Sequence, residues 1–322
     1  MKKILLLTVI LLAVFFLAKG WWGSQLSPVS SDKSTKILIV EKGESFSKVV
    51  EELKRQNLIK SSWAFNLYAK QTGMGAKIQA GTFRLSPSMS SGEVLQVLTS
   101  EPLENWVTLL EGWRVEEMVQ SLSSKFKIQS STFLRIAKEG YMFPDTYLFP
   151  ADVTEEQIVK RLRDNFDVKY SDDLRAKIKA LGLTESQGVI LASIVEREAR
   201  SDEARRMVAS ILLKRFKIGM GLNADATVQY ALIPQGTKSP PAGGWWKRNL
   251  DKDDLKVDSP YNTYLHSGFP PTPIANPGLS SLQAVANADP ETPYLYYYHD
   301  SKGVPRYAKT LEEHNQNIAN YP

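Results

Sequence analysis

The sequence predicts an α+β protein: an apolar N-terminal helix, a small β-α-α-β module, and a larger mixed α+β domain. Three observations carry the prediction. An apolar run opens the chain, from Ile4 to Ala18, broken only by Thr8. Beyond it, short β-rich runs such as Ile37–Val40 and Gly81–Leu85 alternate with stretches of helical periodicity. Further on, Val189–Val195 reads VILASIV, apolar on every side, as a helix buried in a second core reads. The expected segments are 1–23 (leader helix), 24–35 (polar tether), 36–104 (module), 105–183 (bridging region) and 184–322 (main domain).

Composition narrows the class. Hydrophobic residues make up 43% and charged residues 23% of 322, a balance that allows two globular domains. Cysteine is absent, which excludes disulfides, thiolate metal sites and a cysteine nucleophile. The net charge of +5, from 40 basic and 35 acidic residues, leaves no nucleic-acid footprint. It tolerates an anionic polymer or membrane surface.

Lys2 and Lys3 precede the leader's apolar run. As a helix that run spans about 22 Å, short of a bilayer core. Lys19 can snorkel, and Trp21 and Trp22 extend the span into an aromatic belt. The leader therefore reads as a single-pass membrane helix with Lys2 and Lys3 cytoplasmic and the rest extracytoplasmic. A signal peptide cleaved near Ala18-Lys19-Gly20 is the alternative. The Ser-rich segment 24–35 reads as a flexible tether.

In the module, Ile37–Val40 is a strand and Lys42-Gly43 a turn. Ser45 caps a helix whose apolar positions Phe46, Val49, Val50 and Leu53 share one face. Ser61 or Ser62 opens a second helix, ended by Gly73. Gly81–Leu85 is a strand, and Ser90 or Ser91 caps a helix carrying Val94, Leu95 and Leu98. This β-α-α-β-α order resembles a LysM-like module, which implies glycan binding. A spacer lifting the main domain off the membrane is the equal alternative.

In the bridging region, Trp106–Leu110 reads as a strand, and helices are expected near 114–124, 131–138, 155–166 and 172–181. Between them Glu139–Pro150 is too rich in aromatics and proline for a regular helix. Tyr141, Phe143 and Tyr147 could stack on sugars, but a buried aromatic loop is the favoured reading.

Thr184-Glu-Ser-Gln187 is a capping box that starts the VILASIV helix. Glu196-Arg197-Glu198-Ala199-Arg200 follows. Helical spacing sets Glu196 on the face of Val189, Ala192, Ser193 and Ala199. Burial and the negative end of the helix both raise its proton affinity, provided Arg197 and Arg200 reach solvent. A neutral glutamic acid in an apolar cleft suits protonation of a glycosidic oxygen. A helix-end salt bridge to Arg200 is the competing reading.

Several long motifs decide between them. LASIVEREA, MVASILLKRFKIGMGLNADATVQYAL, SPYNTYLHSGFPPTPIANPGLSSLQAVANA and TPYLYYYHD, over about 184–318, resemble the endolytic murein transglycosylases of the MltG/YceG-like family. The resemblance implies that Glu196 is the catalytic residue and that Glu198 orients substrate or tunes it. Asp225 and Thr227 match a family Asp-Pro-Thr stretch in which Ala226 replaces proline. Tyr261, Asn262, Thr263 and Tyr264 match a motif with polar groups facing the cleft. Asn276 lies in the adjoining proline-rich loop, with Phe269 where leucine is common. The implied substrate is the peptidoglycan glycan strand, and peptidoglycan synthases are the further partner. The implied chemistry needs no metal or cofactor: Glu196 protonates the leaving oxygen and then accepts the C6 hydroxyl proton as a 1,6-anhydro ring closes. Asn262, Thr263 and Asp225 would hold acetamido groups.

Other chemistries find little support. His266, His299 and His314 lack metal-ligand spacing, and neither HExxH nor GxSxG occurs. His299 reads as structural, ending one strand (Tyr294–His299) of a hairpin with Val304–Ala308. Thr310–Glu313 forms a capping box for the last helix, and Trp245 and Trp246 follow Gly243-Gly244 in a polar loop, where contact with glycan or membrane and a simply exposed loop are equal alternatives. A non-catalytic peptidoglycan-binding scaffold and a hydrolysing muramidase are the rival functions.

Overall fold

The structure, a computed structural model, describes residues 2–100, 102–237, 239–241 and 244–321. Among them the chain forms thirteen α-helices, one four-stranded sheet and one two-stranded sheet, a mixed α+β protein. It divides into two compact units. One comprises residues up to Val107 with Tyr147–Asp152; the other comprises Thr108–Thr146 and the residues from Val153 onward. Residues 105–183 are thus shared between the two.

The first unit opens with α1 (Lys2–Leu26), then β1 (Lys36–Val40), α2 (Phe46–Arg55), α3 (Ser62–Thr72), β2 (Gly81–Leu85) and α4 (Ser91–Leu98). No single helix among the described residues is long and apolar enough to cross a membrane. The described apolar part of α1 is Ile10–Leu26. The β-α-α-β-α order follows, and the sheet then continues through β3 (Glu104–Thr108) and β4 (Thr146–Pro150) in the order β1-β2-β3-β4. Strand β1 alternates as a half-buried strand must: Leu38 and Val40 point into the core, Ile37 and Ile39 outward. Val49, Val50 and Leu53 of α2, Phe65 of α3 and Val94, Leu95 and Leu98 of α4 close that core. Ser45, Ser61 and Ser90 are the caps, Ser90 in a full capping box with Glu93. Gly73 ends α3 in the left-handed region at φ 65°.

Gly81 is the most closely approached glycine of this unit. Its φ is +151°, and a Cβ there would stand 2.3 Å from the Glu104 carbonyl oxygen and 2.6 Å from Pro102 Cβ. A strand carbonyl cannot step aside without breaking its ladder. Gly81→Ala is expected to destabilise the first unit by about 1–3 kcal/mol, read by denaturant unfolding. An unchanged midpoint would refute the steric argument.

The second unit contains α5 (Val115–Ser123), α6 (Ser130–Ile136), α7 (Glu155–Lys169), α8 (Asp172–Ala180), α9 (Glu185–Glu198), α10 (Asp202–Lys217), α11 (Asp225–Ala231), α12 (Leu279–Ala286) and α13 (Leu311–Asn320). Its hairpin pairs β5 (Tyr296–His299) with β6 (Pro305–Ala308). Helix α9 starts at the Thr184–Gln187 capping box and is buried without interruption from Gly188 to Val195. It packs against α8, α10, α11 and α12. Gly188 permits the approach of α8, since a Cβ there would lie 2.7 Å from Ile178 Cγ2.

Three local expectations need correction. Trp245 and Trp246 are not in an exposed loop. Trp245 is 7% exposed, and Trp246 donates its indole N–H to Glu117 at 2.9 Å, with Arg197 stacked on it at 3.8 Å. Gly243 lies outside the described residues. Thr310 caps α13 by accepting from Glu313 N–H, but the Glu313 carboxylate reaches back to Lys309 N–H instead of closing the box. The 139–150 stretch is not all loop, since its last residues form β4. Phe143 and Tyr147 are buried, as the bland reading required.

Candidate active site

Helix α9 leaves the core at Val195, and the next turn presents two carboxylates. Successive helical residues are about 100° apart, so Glu196 and Glu198 point roughly 200° apart, to opposite sides of the helix. What packs on each side decides what each can do.

Glu196 faces α10 and the start of α12. Its side chain is 4% exposed and both oxygens are engaged. Oε1 accepts from Arg205 Nη2 at 3.0 Å and Oε2 from the Gly278 backbone N–H at 2.9 Å. Gly278 is the N-cap of α12. Arg205 also lies 3.9 Å from Glu111, whose carboxyl is pushed up by burial and by the charge of Glu196. Gly278 has to be glycine while Glu111 keeps its place, because a Cβ would fall 1.9 Å from Glu111 Oε1. The partner of Glu196 is therefore Arg205. Arg200 is exposed. Arg197, expected to reach solvent, instead lies over Trp246 and donates to Gly112 O, its pKa lowered by burial.

Glu198 faces a cavity of about 450 Å³. It accepts from Ala226 N–H at 3.1 Å, in the first turn of α11, and from the Tyr297 hydroxyl of β5. Burial pushes its carboxyl up to about 7. The Ala226 N–H opposes that rise and the charge of Asp225 adds to it. Asp225, Asn223, Arg215, Tyr264 and His314 share the cavity with β5 residues Tyr296 to His299. Arg215 is 5% exposed and anchored by bonds to the Leu295 and Leu222 carbonyls, with its guanidinium 5.1 Å from the Tyr296 ring. Tyr296 stacks on His314 at 5.4 Å. His299 Nε2 and His314 Nδ1 are buried without a hydrogen-bond partner. Both imidazoles are held below their usual range, His299 by burial and Arg200, His314 by burial and Arg215.

The other sequence candidates separate by position. Asp225 and Tyr264 meet in the cavity, the Tyr264 hydroxyl donating to Asp225 at 2.7 Å. Thr227 and Thr263 are buried, hydrogen-bonded to each other at 2.9 Å, and Thr263 Oγ1 accepts from Ala224 N–H. They brace the start of α11. Asn262 is fully buried, donating to the Leu255 and Val257 carbonyls and accepting from Tyr264 N–H. It shapes the turn that presents Tyr264. Asn276 is also fully buried. It accepts from Met142 N–H and donates to Trp113 O and Glu139. Glu139 is itself pushed up to about 8 by burial and the neighbouring Glu116 charge. Tyr261 bonds Thr272 and Gln235 and packs on Tyr230 at 4.9 Å. None of Thr227, Tyr261, Asn262, Thr263 or Asn276 lines the Glu198 cavity.

Sequence reading did not single out Arg215, Asn223, Tyr296, Tyr297 or His314, and set His299 aside as structural. Asn223 has a signal in hindsight: φ of +48° marks a turn that only a few residue types tolerate, two positions before Asp225. The tyrosine run had no periodicity to betray that one member reaches Glu198.

A sequence model of the YceG-like family matches residues 38–320. The chain is 32% identical to the endolytic murein transglycosylase of Bacillus subtilis, covering 91% of this chain and 87% of that protein. It is 26% identical to the endolytic murein transglycosylase of Streptococcus pneumoniae D39, over 94% of this chain and 62% of that one. The crystal structure of a YceG-like protein from Listeria monocytogenes superposes with a TM-score of 0.62 at 26% identity, covering 88% of this chain and 99% of that one. Matched from the first strand to the last helix, and with its fold shared, this chain belongs to the YceG-like family.

Proposed function

We propose that the protein is an endolytic lytic transglycosylase that cuts the N-acetylmuramic acid–N-acetylglucosamine bond of nascent peptidoglycan strands, leaves 1,6-anhydro ends and so terminates strand elongation. Glu198, not Glu196, is its acid/base. One observation carries the assignment: Glu198 lies on the wall of a cavity, its carboxyl pushed up to about 7 by burial, whereas Glu196 is ion-paired to Arg205 and lines no described part of that cavity.

In this reading protonated Glu198 gives its proton to the oxygen leaving C1 of N-acetylmuramic acid. The carboxylate then takes the proton of the same sugar's C6 hydroxyl as that oxygen bonds to C1. The C1–O bond breaks, the C1–O6 bond forms, and Glu198 ends as it began, with no water consumed. The nucleophile is part of the substrate, so proximity supplies much of the rate. Burial, with the Asp225 charge adding to it, keeps Glu198 protonated, and the same charge offsets positive charge developing at C1. The Tyr296–His314 stack on the cavity wall offers a face to a sugar ring. Glu196 is a positioning residue, tying the end of α9 to α10 and α12.

The exposed apolar side chains of α1, among them Leu11 (60%), Phe16 (64%) and Leu17 (73%), support anchorage in the cell membrane with the rest extracytoplasmic. The 36–104 module then acts as a LysM-like glycan-binding element or a spacer, and peptidoglycan synthases are the partners that would supply nascent strands.

The test is digestion of purified glycan strands with mass spectrometry of the products. Anhydro ends are one water lighter than the reducing ends a muramidase leaves. Binding without cleavage would favour a scaffold. Because Glu198 must start protonated, kcat/KM is expected to fall about tenfold per pH unit above about 7. A rate flat from pH 6 to 9 would remove Glu198 from the role.

A further inference from the structure

The first unit carries an apolar groove that the proposed chemistry leaves unused. It is lined by Phe46, Trp63, Leu67, Ala69 and Ala76, with Lys70 at its edge, and encloses about 680 Å³. Trp63, Leu67 and Lys70 fall at i, i+4 and i+7 on α3, one face of the helix. Trp63 is 59% exposed, an unusual state for a tryptophan. Its ring meets two others at the end of the apolar N-terminal helix, Trp21 at 6.4 Å and Trp22 at 5.7 Å. Lys60 Nζ bonds Ser27 Oγ at 2.7 Å and holds the start of α3 to the chain leaving α1. The groove thus begins where the apolar helix stops.

Charge identifies the occupant. Lys70 lines this groove and Lys60 stands at the start of α3, while the chain has no acidic residue between Glu52 and Glu93. Another groove of the same unit, along Ile37 and Ile39, is lined by Glu41, Glu44, Glu51 and Glu52 together with Lys48 and Arg55, so acidic groups outnumber basic ones there. An apolar floor with tryptophan at its rim, Lys70 at its edge and no carboxylate among its lining residues suits the boundary between lipid headgroups and acyl chains. There rings lie at headgroup depth and ammonium groups reach the phosphates. We infer that the α3 face of the first unit docks on the bilayer that holds α1, with Trp63 and Leu67 in the interface of an anionic membrane. This rests on the anchoring role proposed for α1. Its consequence is a module fixed against the membrane surface by a second contact, not swinging on its tether.

The chain has no cysteine, so a single introduced thiol labels one place. Full-length Ala76→Cys, Leu67→Cys and Glu51→Cys, each carrying an environment-sensitive fluorophore, would be reconstituted into phosphatidylglycerol–phosphatidylethanolamine vesicles with or without shallow doxyl-labelled lipid. Ala76 and Glu51 are exposed, so those labels leave the core untouched. Burial of the face by about 5–10 Å should make doxyl quenching at 76 and 67 at least about twice that at 51. Adding Trp63→Ser should reduce the quenching while the protein still floats with vesicles. Equal quenching at 76 and 51 in a floating protein overturns the docking face and leaves the anchor standing. So does a blue shift at 76 without doxyl quenching, which would place a protein in the groove. Failure of the unsubstituted chain to float overturns the anchor and the docking face together.

Discussion

Glu198→Gln should lower formation of 1,6-anhydro ends by on the order of 10²–10⁴-fold while leaving the protein folded and more stable above neutral pH. The sign follows from linkage. Folding raises the carboxyl from its ordinary 4.5 to about 7, so the folded state keeps a proton that the unfolded chain has released. The stability contribution of Glu198 is fully present below about 4.5 and is lost as pH rises through about 7. Glutamine carries no charge and escapes that loss. Activity and stability should therefore move in opposite directions, which a merely structural residue would not do. Glu196→Gln should behave differently. It weakens the ion pair with Arg205, whose side chain is 13% exposed, and costs stability, but it leaves the fall in rate above about pH 7 in place. Anhydro-product yield, its pH profile and thermal unfolding of both variants decide the matter. An active Glu198→Gln beside an inactive, folded Glu196→Gln would return the chemistry to Glu196.

The largest stability effect is expected at Arg114. This guanidinium is fully buried, stacked 4.2 Å from the Tyr230 ring, donating to Ile233 O at 3.1 Å, and 3.4 Å from Glu116, which is 3% exposed. Glu116 otherwise has the Gly236 N–H at 2.8 Å. Arg114→Leu would leave a buried carboxylate without its cation and cost about 3–5 kcal/mol, measured by denaturant unfolding. Arg114→Leu with Glu116→Leu should recover much of that, because the stranded charge is gone. Arg114 also opposes the upward shift of Glu139, so its loss should further hold that acid neutral. A single-variant cost under about 1 kcal/mol would show that the cluster is not held by charge.

Much of the architecture was legible because it is written locally. Ser45, Ser61, Ser90 and Thr184 cap helices where serine or threonine precedes an apolar repeat. Gly81–Leu85 is a strand with the bounds its residues suggest. Asp225 and Tyr264 came from family motifs and do meet. The motifs could not separate cleft residues from those that brace the cleft: Asn262, Asn276 and Thr227 spend their polar groups inside the fold. Trp245 and Trp246 follow glycines in a polar segment, yet are covered by Arg114 and Arg197 from more than forty residues away.

By itself the sequence determined the α+β class, the apolar leader, the buried α9 and the presence of two carboxylates at its end. Periodicity, caps and side-chain size act over a few residues, and those suffice to write them. Which carboxylate faces a cavity was decided by the tertiary structure alone. One turn of α9 aims the two acids to opposite sides. Only the arrival of Arg205 and Gly278 on one side, and of Ala226 and Tyr297 on the other, gives them different chemistry. Burial and electrostatics depend on neighbours in space, and the nearer of the two groups hydrogen-bonded to Glu198 is 28 residues along the chain.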